Sequence, residues 1–165
     1  MNSLSHEIVS SIVIFHIEQQ TYALYLNNIL KVVRSVEITP LPKAPEIVVG
    51  IIDFHGEIIP VINIRKLFNL PVRKIMLEDQ FIIAKTSYRT IALIVDSVEE
   101  ISGVSDHETT DTKELLPFAD YLSGIVKIKN DIILINDLEK LLSLSEQDSI
   151  DNALKKLRNE TGTVK

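Results

Sequence analysis

At 165 residues the chain has room for one ordinary domain or two very small ones, and roughly 70% of its unfolded surface can be buried at that size. Apolar residues make up 45% and aromatic ones only 5%, so isoleucine, valine and leucine dominate, which favours strands and a mostly β protein. Seventeen basic against twenty-three acidic residues give a net charge of −6, which opposes the phosphate neutralisation that drives nucleic-acid binding. Without cysteine there are no disulfides and no thiolate metal site. The start MNSLSHEIVSS lacks the basic region and long apolar core of a signal peptide. No apolar run approaches the roughly 20 residues needed to cross a bilayer. The expectation is a cytoplasmic protein with no direct membrane insertion.

Ile12 to Ile17 and Thr21 to Leu26 read as two strands of a hairpin separated by Glu18-Gln19-Gln20. Asn27-Asn28 breaks the second run, and Ile29 to Val36 resumes as a third strand with Leu30, Val32 and Val36 on one parity. Arg34 interrupts that parity; a charge on the apolar side of a half-buried strand marks an edge or a functional groove. TPLPKAPE, Thr39 to Glu46, carries three prolines and must be an extended connection.

Next comes GIIDFHGEIIPVINIRKLFNL, Gly50 to Leu70, which recurs at Gly124 to Leu144 as GIVKIKNDIILINDLEKLLSL. Each copy reads as two strands around a tight turn, followed by a short helix, Ile64 to Phe68 or Leu138 to Leu142. His55-Gly56 and Lys129-Asn130 fill the turns, where Gly56 and Asn130 suit positive φ. Asn63 and Asp137 stand where a side-chain oxygen caps the helix. Helices this short must cover something apolar to persist. Gln80 to Lys85 and Thr90 to Val95 repeat the opening hairpin, with Ala23-Leu24 matching Ala92-Leu93, Asn27-Asn28 matching Asp96-Ser97, Ile29 matching Val98 and Val32 matching Ile101. Two five-stranded units result, over about 12–70 and 81–144, each the size of a small closed or nearly closed barrel. Whether strands are exchanged between them is left open. Ser105 to Tyr121 is a longer connection. After Leu144, Ile150, Leu154 and Leu157 at helical spacing predict a docked helix over 147–160, and 161–165 reads as a disordered tail.

The search for chemistry is negative. His6, His16, His55 and His107 show no metal-ligand spacing. Acid pairs such as Glu78-Asp79, Glu99-Glu100 and Asp106/Glu108 read as solvated. No phosphate-binding loop, dinucleotide fingerprint or nucleophile elbow is present. No catalytic residue, metal site or cofactor is expected, and a binding module follows. The apolar residues of the repeated stretch, Ile51, Ile58, Val61, Ile62, Leu67 and their second-copy partners, read as core.

The repeated stretch resembles the signature of CheW-type coupling proteins, and the resemblance extends from about Ile12 to Leu144 through ALYLNNILKVV, IALIVDSVEEI and YLSGIVKIKNDIILINDLEKLL. It implies a single domain over 8–146 made of two SH3-like five-stranded barrels, without catalytic activity. Such proteins couple the cytoplasmic hairpin tip of chemoreceptors to the regulatory domain of a CheA-type histidine kinase. By position, Val32, Arg34, His55, Ile82, Ala92 and Val98 match the receptor-facing groove, and Gly50 the kinase-facing side. Arg34 stands where the family usually has Glu, and His55 where it has the turn Arg; Ala92 replaces a common glycine. Both partners of one groove contact have thus changed together, and the reversed charge at position 34 suggests an altered receptor preference. The same fold in a non-flagellar chemosensory pathway is one alternative. A small-ligand-binding barrel or hydrolase is another, and it requires a deep polar pocket.

Overall fold

A computed structural model describes residues 10–104, 109–110, 122–128 and 130–161. In chain order the elements are β1 (Ser10–Ile17), β2 (Gln20–Tyr25), β3 (Ile29–Arg34), β4 (Val48–Phe54), β5 (Glu57–Ile62), α1 (Ile64–Leu67), β6 (Gln80–Lys85), β7 (Thr90–Val95), β8 (Ser97–Val104), β9 (Thr109–Thr110), β10 (Leu122–Ile128), β11 (Asp131–Asn136) and α2 (Leu144–Thr161). One-turn 3₁₀ segments occupy Leu26–Asn28 and Leu138–Lys140.

The strands form two sheets, ordered β8-β1-β2-β11-β10-β9 and β3-β6-β7-β5-β4. Each sheet combines the opening hairpin of one repeat with the third strand and second hairpin of the other. The hairpins are antiparallel, and each sheet is joined across the repeats twice: the third strand pairs antiparallel with the other repeat's opening hairpin, and a short parallel pairing sets Ile135 opposite Ala23 in the first and Val61 opposite Ala92 in the second. These are the same positions of the two repeats, so the exchange is reciprocal.

The chain after each third strand crosses to the outer edge of the second hairpin. Thr39 exchanges two backbone hydrogen bonds with Ile51, at 2.9 and 2.7 Å, and β9 pairs Thr110 with Ile125, the counterpart of Ile51. Beyond the five strands expected, each sheet thus gains a short closing segment. Gly50 lies at the second barrel's closure: a Cβ there would stand 2.3 Å from the Thr39 carbonyl oxygen and 2.6 Å from Ile38 Cγ2. Only glycine admits so close a backbone approach.

Period-two alternation explains why several strands are apolar on both faces. In β7, Ala92 and Ile94 face the interior of the second barrel with Ile52, Ile59, Val61, Phe81 and Ile83. Ile91, Leu93 and Val95 face a core shared between the barrels, to which the first barrel contributes Phe15, Ile17, Tyr22 and Leu24. Ile12, Ile14, Ala23, Val126, Ile133 and Ile135 fill the first barrel. Every residue of β7 is consequently buried.

α2 inserts Ile150 and Ala153 into the shared core, with Leu154 and Leu157 partly buried beside them. It begins earlier than 147, after a reciprocal cap: Ser143 Oγ accepts the Glu146 amide at 3.1 Å, and Glu146 Oε1 accepts the Ser143 amide at 2.9 Å. Residues 162–165 of the expected tail, Lys129 of the second turn and residues 8–9 lie outside the described residues.

Three expectations are corrected. Ile58 and Ile132 are 47% and 58% exposed; they share the outward parity of Ile62 and Asn136 but sit near the hairpin tips, opposite Asp53 and Lys127, beyond the reach of the shared core. Leu67 is half-buried rather than core. The third strand stops at Arg34, and Leu30, 53% exposed, is turned out by a bulge between Ile29 and Lys31.

Candidate functional site

β3 and β8, the third strands, are the outer strands on one side of each sheet, and they meet at the rim of the shared core. Val32 and Val98 both pack there, half-buried. Gln80, the first residue of β6, ties the two sides together: it pairs in register with Arg34, and its Oε1 accepts the Val98 amide at 2.8 Å. Gln80 thereby links the strand that carries Val32 and Arg34 to the one that carries Val98.

The other expected groove residues are placed differently. Ile82 lies opposite Val32 on β6 and is fully buried in the shared core. Ala92 is fully buried inside the second barrel. Neither side chain is exposed. His55 is exposed at the β4–β5 turn with φ +53°, its ring 4.4 Å from that of Phe54. Val33 and Phe54, the residues preceding Arg34 and His55, pack into the same barrel interior. Neither Arg34 nor His55 takes part in an ion pair among the described residues. Gly50 is buried at the closure and acts through backbone shape.

The turn and cap residues have local causes. Gly56, at φ +88°, donates its amide to Asp53 Oδ1 at 2.8 Å. Asn130 has φ +71°. Asn63 Oδ1 accepts the Arg65 amide at 3.1 Å, and Asp137 Oδ1 accepts the Glu139 amide at 3.0 Å.

Behind the groove lies a chain of five charges that the sequence reading did not single out. Arg65, on α1 and only 5% exposed, donates to Glu18 Oε2 at 2.8 Å and to both Asp96 oxygens at 2.8 and 3.1 Å. Arg73 donates to Asp96 Oδ1 at 2.9 Å and grips both oxygens of Asp79 at 2.9 and 2.7 Å. Asp79 Oδ2 also accepts the Met76 amide at 2.8 Å. Burial alone would push the Asp79 carboxyl up, but Arg73, the Met76 amide and the Arg65 charge outweigh it and hold it below the usual carboxylate range. The hydrogen bonds to Asp79 raise Arg73 against the opposing effect of burial. Burial of Arg65 is likewise overcome by Asp96 and Glu18, which raise it. The one available sequence signal was Arg65 itself, a charge next to buried Ile64 at a position where the second copy has Glu139.

Among the described residues no group of three or more His, Asp or Glu is arranged to hold a metal ion, and no helix is long and apolar enough to cross a membrane. A cleft of about 370 Å³ between the β4–β5 hairpin and α2 is lined by Ile51, Ile58, Leu154, Leu157 and Arg158, an apolar set without a nucleophile or acid–base pair.

Comparison with family models matches the CheW-like domain over residues 11–146. The chain is 25% identical over 147 residues to "Chemotaxis protein CheW" of Treponema pallidum, covering 86% of each chain. It is 28% identical over 128 residues to the protein of the same name from Thermotoga maritima, covering 78% of this chain and 84% of the relative. Among solved structures it superposes on the scaffolding protein TtCheW of Thermoanaerobacter tengcongensis with a TM-score of 0.76 and 29% identity, over 84% of this chain and 96% of that one. With its two sheets, repeated hairpins and inter-barrel core, the chain belongs to the CheW-like domain family.

Proposed function

We propose that this protein is a non-enzymatic adaptor that couples the cytoplasmic hairpin tip of chemoreceptors to the regulatory domain of a CheA-type histidine kinase. The observation that carries the reading is the family match over residues 11–146, supported by a scaffolding protein of the same fold. The mechanism is geometric: two faces on one rigid double barrel hold receptor and kinase at a fixed separation. Weak single contacts then become strong when many receptors are arrayed. Val32 and Val98 supply apolar surface for a receptor helix, Arg34 supplies charge beside it, and His55 a polar ring at the β4–β5 turn. The surface around Gly50 is the kinase-facing side, its shape set by the barrel closure. The protein works in the cytoplasm and is recruited to membrane-associated receptor arrays.

The test is binding of the purified chain to a chemoreceptor cytoplasmic fragment and, separately, to a CheA-type regulatory domain. Binding to both is expected; binding to neither by well-folded protein overturns the reading. Arg34 and His55 set receptor preference through repulsion as well as attraction. The double substitution Arg34→Glu, His55→Arg is therefore expected to reorder affinities among receptor tips, and identical affinities for every tip would remove that role.

A further inference from the structure

The five-charge chain spans both barrels. Glu18 belongs to the β1–β2 turn of the first barrel, Arg65 to α1 after β5 of the second, and Asp79 to the approach to β6. Asp96 occupies the single residue between β7 of the second barrel and β8 of the first. Its carboxylate accepts from Arg65, Arg73 and the Glu18 amide, the last at 2.9 Å. Its own amide donates to the His16 carbonyl at 3.0 Å. The crossover is therefore held from three elements at once.

Both sides of the groove hang from the far end of this chain. The Asp79 carbonyl accepts the Ser35 amide at 3.0 Å, next to Arg34. Gln80, the following residue, accepts the amide of Val98, which lies two residues beyond Asp96. Directional bonds from planar guanidinium groups to carboxylates fix one geometry, where apolar contact alone would allow sliding. Among the described residues no such arrangement exists at the equivalent junction: Asp96, Arg65 and Glu18 correspond to Asn27, Glu139 and Ser87, and a cleft is lined there by Ser11, Tyr25, Leu26, Asn27 and Asn28.

We infer that Asp96 is a positioning residue for the inter-barrel groove: by collecting Arg65, Arg73 and the Glu18 amide it fixes the β7–β8 crossover and so sets where Val98 stands relative to Val32 and Arg34. The inference rests on the receptor-facing reading of that groove. It also makes a prediction that needs no partner, because a loosened crossover exposes the Val98 amide.

The test uses the full chain with Asp96→Asn, Asp96→Glu and, as a control at the equivalent junction, Glu139→Gln. Amide hydrogen exchange at Val98 is followed by NMR, and affinities for a receptor fragment and a kinase regulatory domain are measured by calorimetry. Asp96→Asn is expected to speed Val98 exchange and to weaken receptor binding by about tenfold or more, as loss of charge-assisted hydrogen bonds implies, while kinase binding stays within about twofold. Asp96→Glu should recover part of both losses, and Glu139→Gln should leave Val98 exchange unchanged. Unaltered Val98 exchange, or equal loss of both partners, overturns the inference. If the unsubstituted chain binds no receptor fragment, the adaptor reading fails instead, and the Val98 measurement still decides whether Asp96 positions the groove.

Discussion

The junction at Arg65 and the junction at Glu139 are the same place in two copies of one design, and they are held together differently. In each, the first turn of a capped helix reaches from one barrel to the opening-hairpin turn of the other. At the first junction Arg65, almost wholly buried, joins Glu18 and Asp96 and, through Asp96, Arg73 and Asp79. At the second, exposed Glu139 accepts hydrogen bonds from the Ser87 amide and hydroxyl at 2.8 and 2.7 Å, and Arg89 donates to the Gln147 carbonyl at the start of α2 at 3.3 Å. Duplication kept the backbone and the apolar positions, while the charges concentrated on one side. A symmetric scaffold thereby acquires two unlike junctions.

The sharpest way to break this comparison is Arg65→Ala. It removes three charge-assisted hydrogen bonds and leaves a gap where a nearly buried side chain stood, while Asp96 keeps Arg73, and is expected to lower stability by about 3–5 kcal/mol. A urea melt showing a loss below about 1 kcal/mol would mean that the junction is no more than a solvated surface pair.

Next come the paired leucines of the two short helices. Leu141 is 6% exposed, whereas its counterpart Leu67 is half-buried. Leu141→Ala should therefore cost about 2–5 kcal/mol by leaving a cavity, and Leu67→Ala less than about 2 kcal/mol. Thermal melts giving equal losses would show that the second helix end is no better packed than the first.

Acid should act on the Arg65 junction through Asp79. Asp79 lies below its ordinary value of 3.8 in the folded chain, so its contribution is fully present above that pH and is lost as pH falls through the lower folded value. The urea midpoint of the native chain should drop over this range more than that of Arg73→Gln. Parallel pH profiles would remove Asp79 from the account. The smallest effect belongs to Glu139→Gln, expected to cost less than about 1 kcal/mol because its exposed bonds exchange readily with water; a larger loss in the same melt would make the two junctions energetic equals.

Much of the fold was legible because it rests on local pattern. The hairpin at 80–85 and 90–95 follows from two β-rich runs around a short polar interruption, and the caps at Asn63 and Asp137 follow from the side chain one residue before each helix. Ile58 and Ile132 look like core because parity says which face a side chain takes, but not whether anything covers that face, whereas Leu30 was misplaced by a bulge that breaks the parity itself. Ile82 and Ala92 were assigned to the groove by position in a family pattern, and packing buries both side chains. The charge cluster was invisible because Glu18, Arg65, Asp79 and Asp96 are separated by up to 78 positions and become neighbours only when strands cross between barrels.

The amino-acid sequence by itself determined the repeat, the strand-and-turn alternation, the short capped helices and the family, since each depends on residues within a few positions of one another or on a pattern written twice. Tertiary structure decided which repeat each strand serves, why Gly50 must remain glycine beside Thr39, and how Asp96 comes to hold both barrels. Those outcomes depend on contacts between distant segments, whose geometry is set by the burial of a shared core and is recorded in no single stretch of the chain.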